Sequence, residues 1–175
     1  NLLKTIIPSD DKNDINIEFN ASNAFFSNDN IKLVCRLIDE RYPDYENVIP
    51  SDNSNSIEVD KSEILSSLKR ISIYANKTTN QVRLKVSGSE ILISAEDLDF
   101  SNEANERISC EHDGDDIEIG FNAKFLIEIL SNIHSDKVIF KLSEPNRAGL
   151  VLPEDIDDEE DLTMLVMPVM LNDNA

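Results

Sequence analysis

The sequence predicts an α+β protein built from a repeated βαβββ unit, in which each helix packs on a sheet in two layers. Two observations support this fold class. Apolar and polar residues alternate over short runs such as residues 56–60 and 81–86, which indicates half-buried strands. Apolar residues at helical spacing follow the first of these runs, and the order of one strand, one helix and three strands recurs after about 50 residues.

The first complete unit begins with a strand and a helix that share a capping signal. Asp60, followed three residues later by Glu63, resembles a capping box at the helix start. Four apolar residues fall on one helical stripe: Ile64, Leu65, Leu68 and Ile71. The predicted elements are a strand over 56–60, a helix over 61–74, strands over 81–86, 91–95 and 107–111, and a turn over 87–89.

The second unit repeats the pattern, with Asn122 placed as the N-cap of its helix. Its predicted apolar stripe consists of Phe125, Leu126, Ile129 and Leu130. Its predicted elements are a strand over 117–121, a helix over 124–133, and strands over 137–142, 149–152 and 162–170. Before the first unit lies a partial one: the end of a helix over 2–7 and strands over 15–19, 24–27 and 31–38.

Two prolines indicate a boundary between domains. Residues 40–50 are the predicted linker, since Pro43 and Pro50 bracket a stretch that can continue neither a helix nor a central strand. We therefore expect residues 48–175 to form one complete domain and residues 1–47 to form the second half of a preceding one.

Composition indicates a folded, acidic, cytoplasmic protein. Hydrophobic residues make up 40% of the 175 residues, which argues against disorder despite a net charge of −19. That charge disfavours nonspecific adhesion to phosphates unless one surface is locally basic. The longest apolar runs are shorter than the roughly 20 residues that span a bilayer, and the first residues lack signal-peptide features. We expect Cys35 and Cys110 to be reduced, buried thiols.

The sequence carries no signal for catalysis or a cofactor. His112 and His134 are isolated, and the chain has 4 Gly and no phosphate-binding glycine loop. The acidic run over residues 153–162 lacks the glycine and the ligand spacing of a calcium loop, so a solvated loop is the better interpretation. We expect no metal and no cofactor.

Four segments resemble the bacterial replicative sliding clamp family, the β subunit of DNA polymerase III. They are Arg41-Tyr-Pro-Asp-Tyr45 in the linker, Val82-Arg-Leu-Lys-Val86, Glu118-Ile-Gly-Phe-Asn122, and the terminal Leu165-Val-Met-Pro-Val-Met-Leu171. The resemblance spans essentially the whole chain but covers only half of a family subunit. It implies the DNA-clamp fold, with residues 1–47 as the second half of clamp domain 2 and residues 48–175 as clamp domain 3.

The resemblance also implies a function and its partners. Family subunits are non-catalytic; two of them close head to tail into a homodimeric ring around duplex DNA, without sequence preference. A cleft between the second and third domains accepts short linear motifs from the replicative polymerase, the clamp loader and repair proteins. Carried over, the cleft comprises Pro43, Asn47, Val48, Thr79, Asn122, Phe125, Leu165, Val166, Met167, Pro168, Val169, Met170 and Leu171.

Two further sites follow from the resemblance. The DNA-facing cations are Lys4, Lys61, Lys69, Arg70 and Lys124, and the subunit-interface residues are Ile73, Tyr74, Glu103 and Glu106. Each site has a simpler interpretation. The terminal segment could be an edge strand in the core, the helix cations ordinary solvated charges, and Ile73 and Tyr74 a buried helix end.

Two other functions remain open from the sequence. The first is a non-catalytic acidic protein-interaction scaffold built from the same repeat. The second is a hydrolase that uses paired carboxylates from the acidic run. Three further βαβββ units upstream in the parent gene would favour the clamp over the scaffold, and metal-dependent hydrolysis by pure protein would favour the enzyme.

Overall fold

The structure, a computed structural model, describes residues 14–155 and 162–171. The chain divides into two compact units, Asn1–Asp44 and Tyr45–Ala175. The helix end expected over residues 2–7 lies outside the described residues.

The described part of the first unit is a three-stranded antiparallel sheet in the order β1-β2-β3. Its strands are β1 (Asn16–Phe19), β2 (Asn23–Ser27) and β3 (Lys32–Arg36). Asparagine side chains build both turns: the Asn20 and Asn28 carbonyls each accept backbone N–H groups two and three residues ahead. The three strands predicted for this unit are confirmed.

The second unit contains both complete repeats in the predicted order. After a 3-10 helix at Glu46–Val48, its elements are β4 (Asn55–Asp60), α1 (Lys61–Ile71), β5 (Gln81–Ser87), β6 (Glu90–Asp97), β7 (Asn102–Ser109), β8 (Glu111–Asp113), β9 (Ile117–Asn122), α2 (Ala123–Asn132), β10 (Lys137–Leu142), β11 (Gly149–Pro153) and β12 (Met164–Val166). The predicted α+β class is confirmed.

The two repeats interlock by exchanging their first strands. Strand β4 of the first repeat pairs with β10 of the second, and β9 of the second pairs with β5 of the first. The result is two antiparallel sheets, a five-stranded one ordered β12-β11-β10-β4-β8 and a four-stranded one ordered β7-β6-β5-β9. Neither repeat can therefore complete its sheet alone.

Both helices pack against each other and against both sheets. The beginning of α1 lies beside the end of α2, since the Lys61 backbone N–H donates to the Asp136 carbonyl. The buried apolar side chains of the helices are Ile64, Leu68 and Ile71 on α1 and Ala123, Leu126 and Leu130 on α2. Together with the inward faces of the strands they form one hydrophobic core.

One residue of the predicted apolar stripe on α2 is wrong, while Leu126 and Leu130 are buried as expected. Phe125 was assigned to the core face of α2, but its side chain is 57% exposed, and Ile129 is half-buried. Nearly every position from Phe125 to Leu130 is apolar, so the spacing alone leaves more than one possible core face. Ala123 and Leu126 define the face that packs, and they leave Phe125 on the surface.

Several predicted element ends are also wrong. Helix α1 stops at Ile71 rather than at residue 74, and β7 begins at Asn102 rather than at residue 107. The strand predicted over residues 162–170 is reduced to β12, followed by a single bridge between Val169 and Gly120. Cys110 is buried as expected, and burial raises the pKa of its thiol, whereas Cys35 is half-buried; both are free.

The N-cap of α1 gives a testable stability prediction. Asp60 Oδ1 accepts from the Glu63 backbone N–H at 2.8 Å and from Ser62 Oγ at 2.7 Å. We expect Asp60→Ala to lower the free energy of unfolding by about 1 kcal/mol, because this cap is lost. Asp60→Asn keeps an acceptor, so at about pH 7 its stability should stay close to that of the wild type.

The pH dependence of stability distinguishes the Asp60 carboxylate of the wild type from the amide of Asp60→Asn. Hydrogen bonds from Ser62 and from the Glu63 backbone lower the pKa of Asp60 below its ordinary value. A lowered pKa contributes stability that is present above the ordinary pKa and is lost as the pH falls through the lowered one. The wild type should therefore lose stability relative to Asp60→Asn below about pH 4. Urea unfolding across that range measures this, and parallel curves would contradict it.

Candidate functional site

The start of α2 is tied to the loop that follows α1. Asn122 is the N-cap, as predicted: its Oδ1 accepts from the Lys124 backbone N–H at 3.0 Å. Its Nδ2 donates to the Thr79 carbonyl at 3.1 Å. Thr79 and Asn122, both expected in the cleft, are thus in direct contact, and Phe125 stands exposed one residue after Lys124.

The C-terminal segment, residues 167–171, runs beside the strand that leads to this N-cap. The Val169 backbone N–H donates to the Gly120 carbonyl at 2.9 Å, and the Leu171 side chain lies over Gly120. Met167 and Met170 point to solvent, with Met170 74% exposed. The structure therefore places the C-terminal segment, with its two exposed methionines, beside the strand that leads into α2.

The other expected cleft residues are divided between different elements. Pro43 belongs to the first unit, while Asn47 and Val48 end the 3-10 helix of the second. Leu165 is half-buried in β12, and Val166 is buried in the core, so its side chain cannot face a ligand. Pro168 is half-buried between the two exposed methionines.

The expected DNA-facing cations have different surroundings. Lys69 and Lys124 are exposed on α1 and α2. Lys61 Nζ donates to the Ile133 carbonyl at 3.0 Å, where it satisfies a carbonyl just past the end of α2. Lys4 lies outside the described residues.

Arg70 is engaged by a carboxylate from the other set of predicted residues. Its Nε and Nη2 donate to Glu106 Oε1 and Oε2 at 2.8 and 2.7 Å, a bidentate pair that joins α1 to β7. The hydrogen bonds from Arg70 hold the pKa of Glu106 below its ordinary value. A residue expected to face DNA and one expected at the subunit interface therefore bind each other.

Ile73 and Tyr74 are exposed, so their interpretation as a buried helix end is wrong. Two apolar residues that the sequence interpretation missed lie close by. Leu98 and Phe100 are 80% and 71% exposed on the turn between β6 and β7. Asn76 Nδ2 donates to the carboxylates of Asp97, the last residue of β6, and of Asp99 in the turn. The turn therefore adjoins the segment that carries Ile73 and Asn76. Large apolar side chains in an otherwise polar turn were the available signal.

The described residues offer little for other chemistry. Across residues 14–155 and 162–171, no group of three or more His, Cys, Asp or Glu residues is arranged to hold a metal ion. The acidic run over residues 153–162 lies partly outside these ranges. In the part of the chain that the structure describes, no helix is long and apolar enough to cross a membrane.

Two interlocked βαβββ repeats, with two helices packed against paired antiparallel sheets, define the class of DNA-clamp domains. The chain belongs to the DNA polymerase III beta subunit family, because residues 46–170 match the family model described as the C-terminal domain of that subunit. The family resemblance carried by the four sequence segments is thereby confirmed.

Individual relatives agree with this assignment. The chain is 32% identical to the beta sliding clamp of Pseudomonas aeruginosa over 136 residues, which cover 78% of this chain and 36% of that protein. It is 30% identical to the Vibrio cholerae clamp with the same coverage of both chains. A crystal structure of the Pseudomonas aeruginosa clamp with ligand superposes with a TM-score of 0.84 at 28% identity, over 93% of this chain and 43% of that one. The chain thus spans less than half the length of these relatives.

Proposed function

We propose that this chain is part of a processivity clamp of the bacterial replicase, working in the cytoplasm without catalysing a reaction. Two subunits would close head to tail into a ring around duplex DNA and tether the polymerase, clamp loader and repair proteins through short linear motifs. The family match over residues 46–170 carries this proposal.

The peptide-binding surface that we propose is the one formed by Thr79, Asn122, Phe125 and the C-terminal segment. The ring of Phe125 and the side chains of Met167 and Met170 are all exposed, and such side chains suit apolar anchor residues, since methionine re-packs around ligands of different shape. The N-cap amide and the loop carbonyls add a polar border. A Pseudomonas aeruginosa clamp has been crystallised bound to griselimycin. We propose that this chain also binds griselimycin, and that it does so on the surface formed by Thr79, Asn122, Phe125 and the C-terminal segment.

The subunit interface that we propose lies around Ile73, Tyr74 and Glu103, extended by Leu98 and Phe100. These apolar side chains are exposed in the described chain, and a head-to-tail partner would remove them from water. Glu106 contributes less free charge than expected, because its carboxylate already accepts both hydrogen bonds of Arg70.

The DNA contact that we propose uses exposed helix cations. A net charge of −19 excludes strong nonspecific binding by the whole surface, but a ring needs only a weakly basic lining. Lys69 and Lys124 are exposed, and within the described residues no partner holds the ammonium group of either side chain, so both can reach phosphates. Arg70 can take part once a phosphate competes with Glu106.

This contact is tested by charge reversal in the full-length subunit. We expect Lys69→Glu with Lys124→Glu to shorten retention of the loaded ring on circular DNA. The dependence of retention on salt should also weaken, because each lost phosphate contact removes about 0.9 from the logarithmic salt slope. A filter or gel-filtration assay at several salt concentrations measures both quantities.

The matched control is Lys85→Glu with Lys141→Glu. It changes the total charge equally, but both lysines lie on strands, β5 and β10, between buried core residues that face the other way. Retention should then stay close to that of the wild type. An equal loss in both double variants would mean that net charge, not the helix surface, governs retention.

A further inference from the structure

Gly120 occupies a position where glycine is otherwise unfavourable. It lies in the middle of β9, where the missing side chain weakens a strand. Among the described glycines, Gly88 and Gly114 have a positive φ, whereas Gly120 does not. Backbone conformation therefore does not explain this glycine.

Space explains it. A Cβ on Gly120 would stand 2.7 Å from Leu171 Cδ2 and 2.7 Å from the Val169 carbonyl oxygen, closer than such atoms approach one another. The neighbours Ile119 and Phe121 are fully buried in the core, so strand alternation turns Gly120 to the opposite face. Gly120 is nevertheless buried, because the C-terminal segment covers it.

The same residue also fixes the register of the segment. Strand β9 is the edge of its four-stranded sheet, paired with β5 on one side. On its other side the described chain makes one bridge, between Gly120 and Val169, through the bond from the Val169 N–H. This bridge and the contact of Leu171 with Gly120 join the segment to β9, while Met167 and Met170 remain exposed.

We propose that Gly120 is the positioning residue of the peptide-binding surface. Its missing side chain makes room for Leu171 and for the Val169 carbonyl, and this contact sets where Met167 and Met170 stand relative to Asn122 and Phe125. The inference rests on the proposed function, because it assigns Gly120 a role in the same surface. Gly120 acts through the C-terminal segment and does not touch the ligand.

The test is Gly120→Ala in the full-length subunit, with griselimycin as the probe. We expect its affinity to fall by about tenfold, because the segment that carries the methionines must move. The melting temperature should fall by at most about a few degrees, because the methyl group points away from the core and displaces only the C-terminal segment. Amide hydrogen exchange at Val169 should become faster, while exchange in β5 stays unchanged.

Ile119→Val is the control, because its buried side chain belongs to the core, on the face of β9 opposite to Gly120. It should lower the melting temperature slightly and leave the affinity for griselimycin unchanged. The inference is overturned if Gly120→Ala keeps its affinity, if Val169 exchange does not change, or if exchange in β5 becomes faster as well. Absence of griselimycin binding by the wild type would instead refute the proposed surface, and Val169 exchange would still decide the role of Gly120.

Discussion

We expect Phe121→Ala to lower the free energy of unfolding by about 3–5 kcal/mol, the largest stability effect predicted for this chain. Phe121 is fully buried on β9, and the end of its ring lies beside Gly149 of β11, which belongs to the other sheet. The ring therefore fills the space between the two sheets. Truncation to alanine leaves a cavity that two hydrogen-bonded sheets cannot close. Urea unfolding followed by circular dichroism measures the loss.

Phe125→Ala is the matched control, the same change four residues later. Because the Phe125 side chain is exposed, stability should stay within about 0.5 kcal/mol of the wild type. The affinity for griselimycin should show the reverse order of effects. It should be unchanged in Phe121→Ala, under conditions where that variant is folded, and it should be reduced in Phe125→Ala. Equal stability losses in the two variants would contradict the assignment of Phe121 to the core and Phe125 to the surface.

Local patterns predicted most elements because their physical causes are local. Val82, Leu84 and Val86 alternate with polar residues and are buried on β5, as two-residue periodicity requires. Asp60 and Asn122 cap their helices through bonds to backbone N–H groups two or three residues away. Such signals need no information about the rest of the chain.

The errors arose where distant residues decide the outcome. Residues 102–106 are mostly polar and look unlike a strand, but pairing with β6 draws them into β7. The exchange of first strands and the pair between Arg70 and Glu106 join residues that lie far apart in sequence. Periodicity contains no information about such partners.

The functional surface was predicted in part through the resemblance, and one of its residues could have been found from the residues alone. Gly120 interrupts an otherwise alternating strand, which is a known sign of close backbone approach. The sequence could not say what approaches, because Val169 and Leu171 lie about 50 residues further along. Phe125 was wrongly assigned to the core, and its exposed ring is instead available to a ligand.

The C-terminal segment gives the largest functional effect that we predict. We expect deletion of residues 170–175 from the full-length subunit to reduce the affinity for griselimycin by more than about tenfold, which corresponds to at least ~1.4 kcal/mol. The deletion removes the exposed Met170 and the contact of Leu171 with Gly120, and a few apolar anchors carry most of the energy of such interfaces. Val169 and its bond to Gly120 remain, so β9 keeps its edge partner.

A shorter deletion, of residues 172–175, is the control for this prediction, because it keeps Met170 and Leu171. It should bind griselimycin as the wild type does, and both deletions should melt within a few degrees of it, since neither removes a core residue. Isothermal titration with circular dichroism on the same samples separates loss of the surface from loss of the fold. If the longer deletion melts normally and still binds within about twofold, the ligand does not use Met170 and Leu171, and the peptide-binding surface must be sought on another part of the chain.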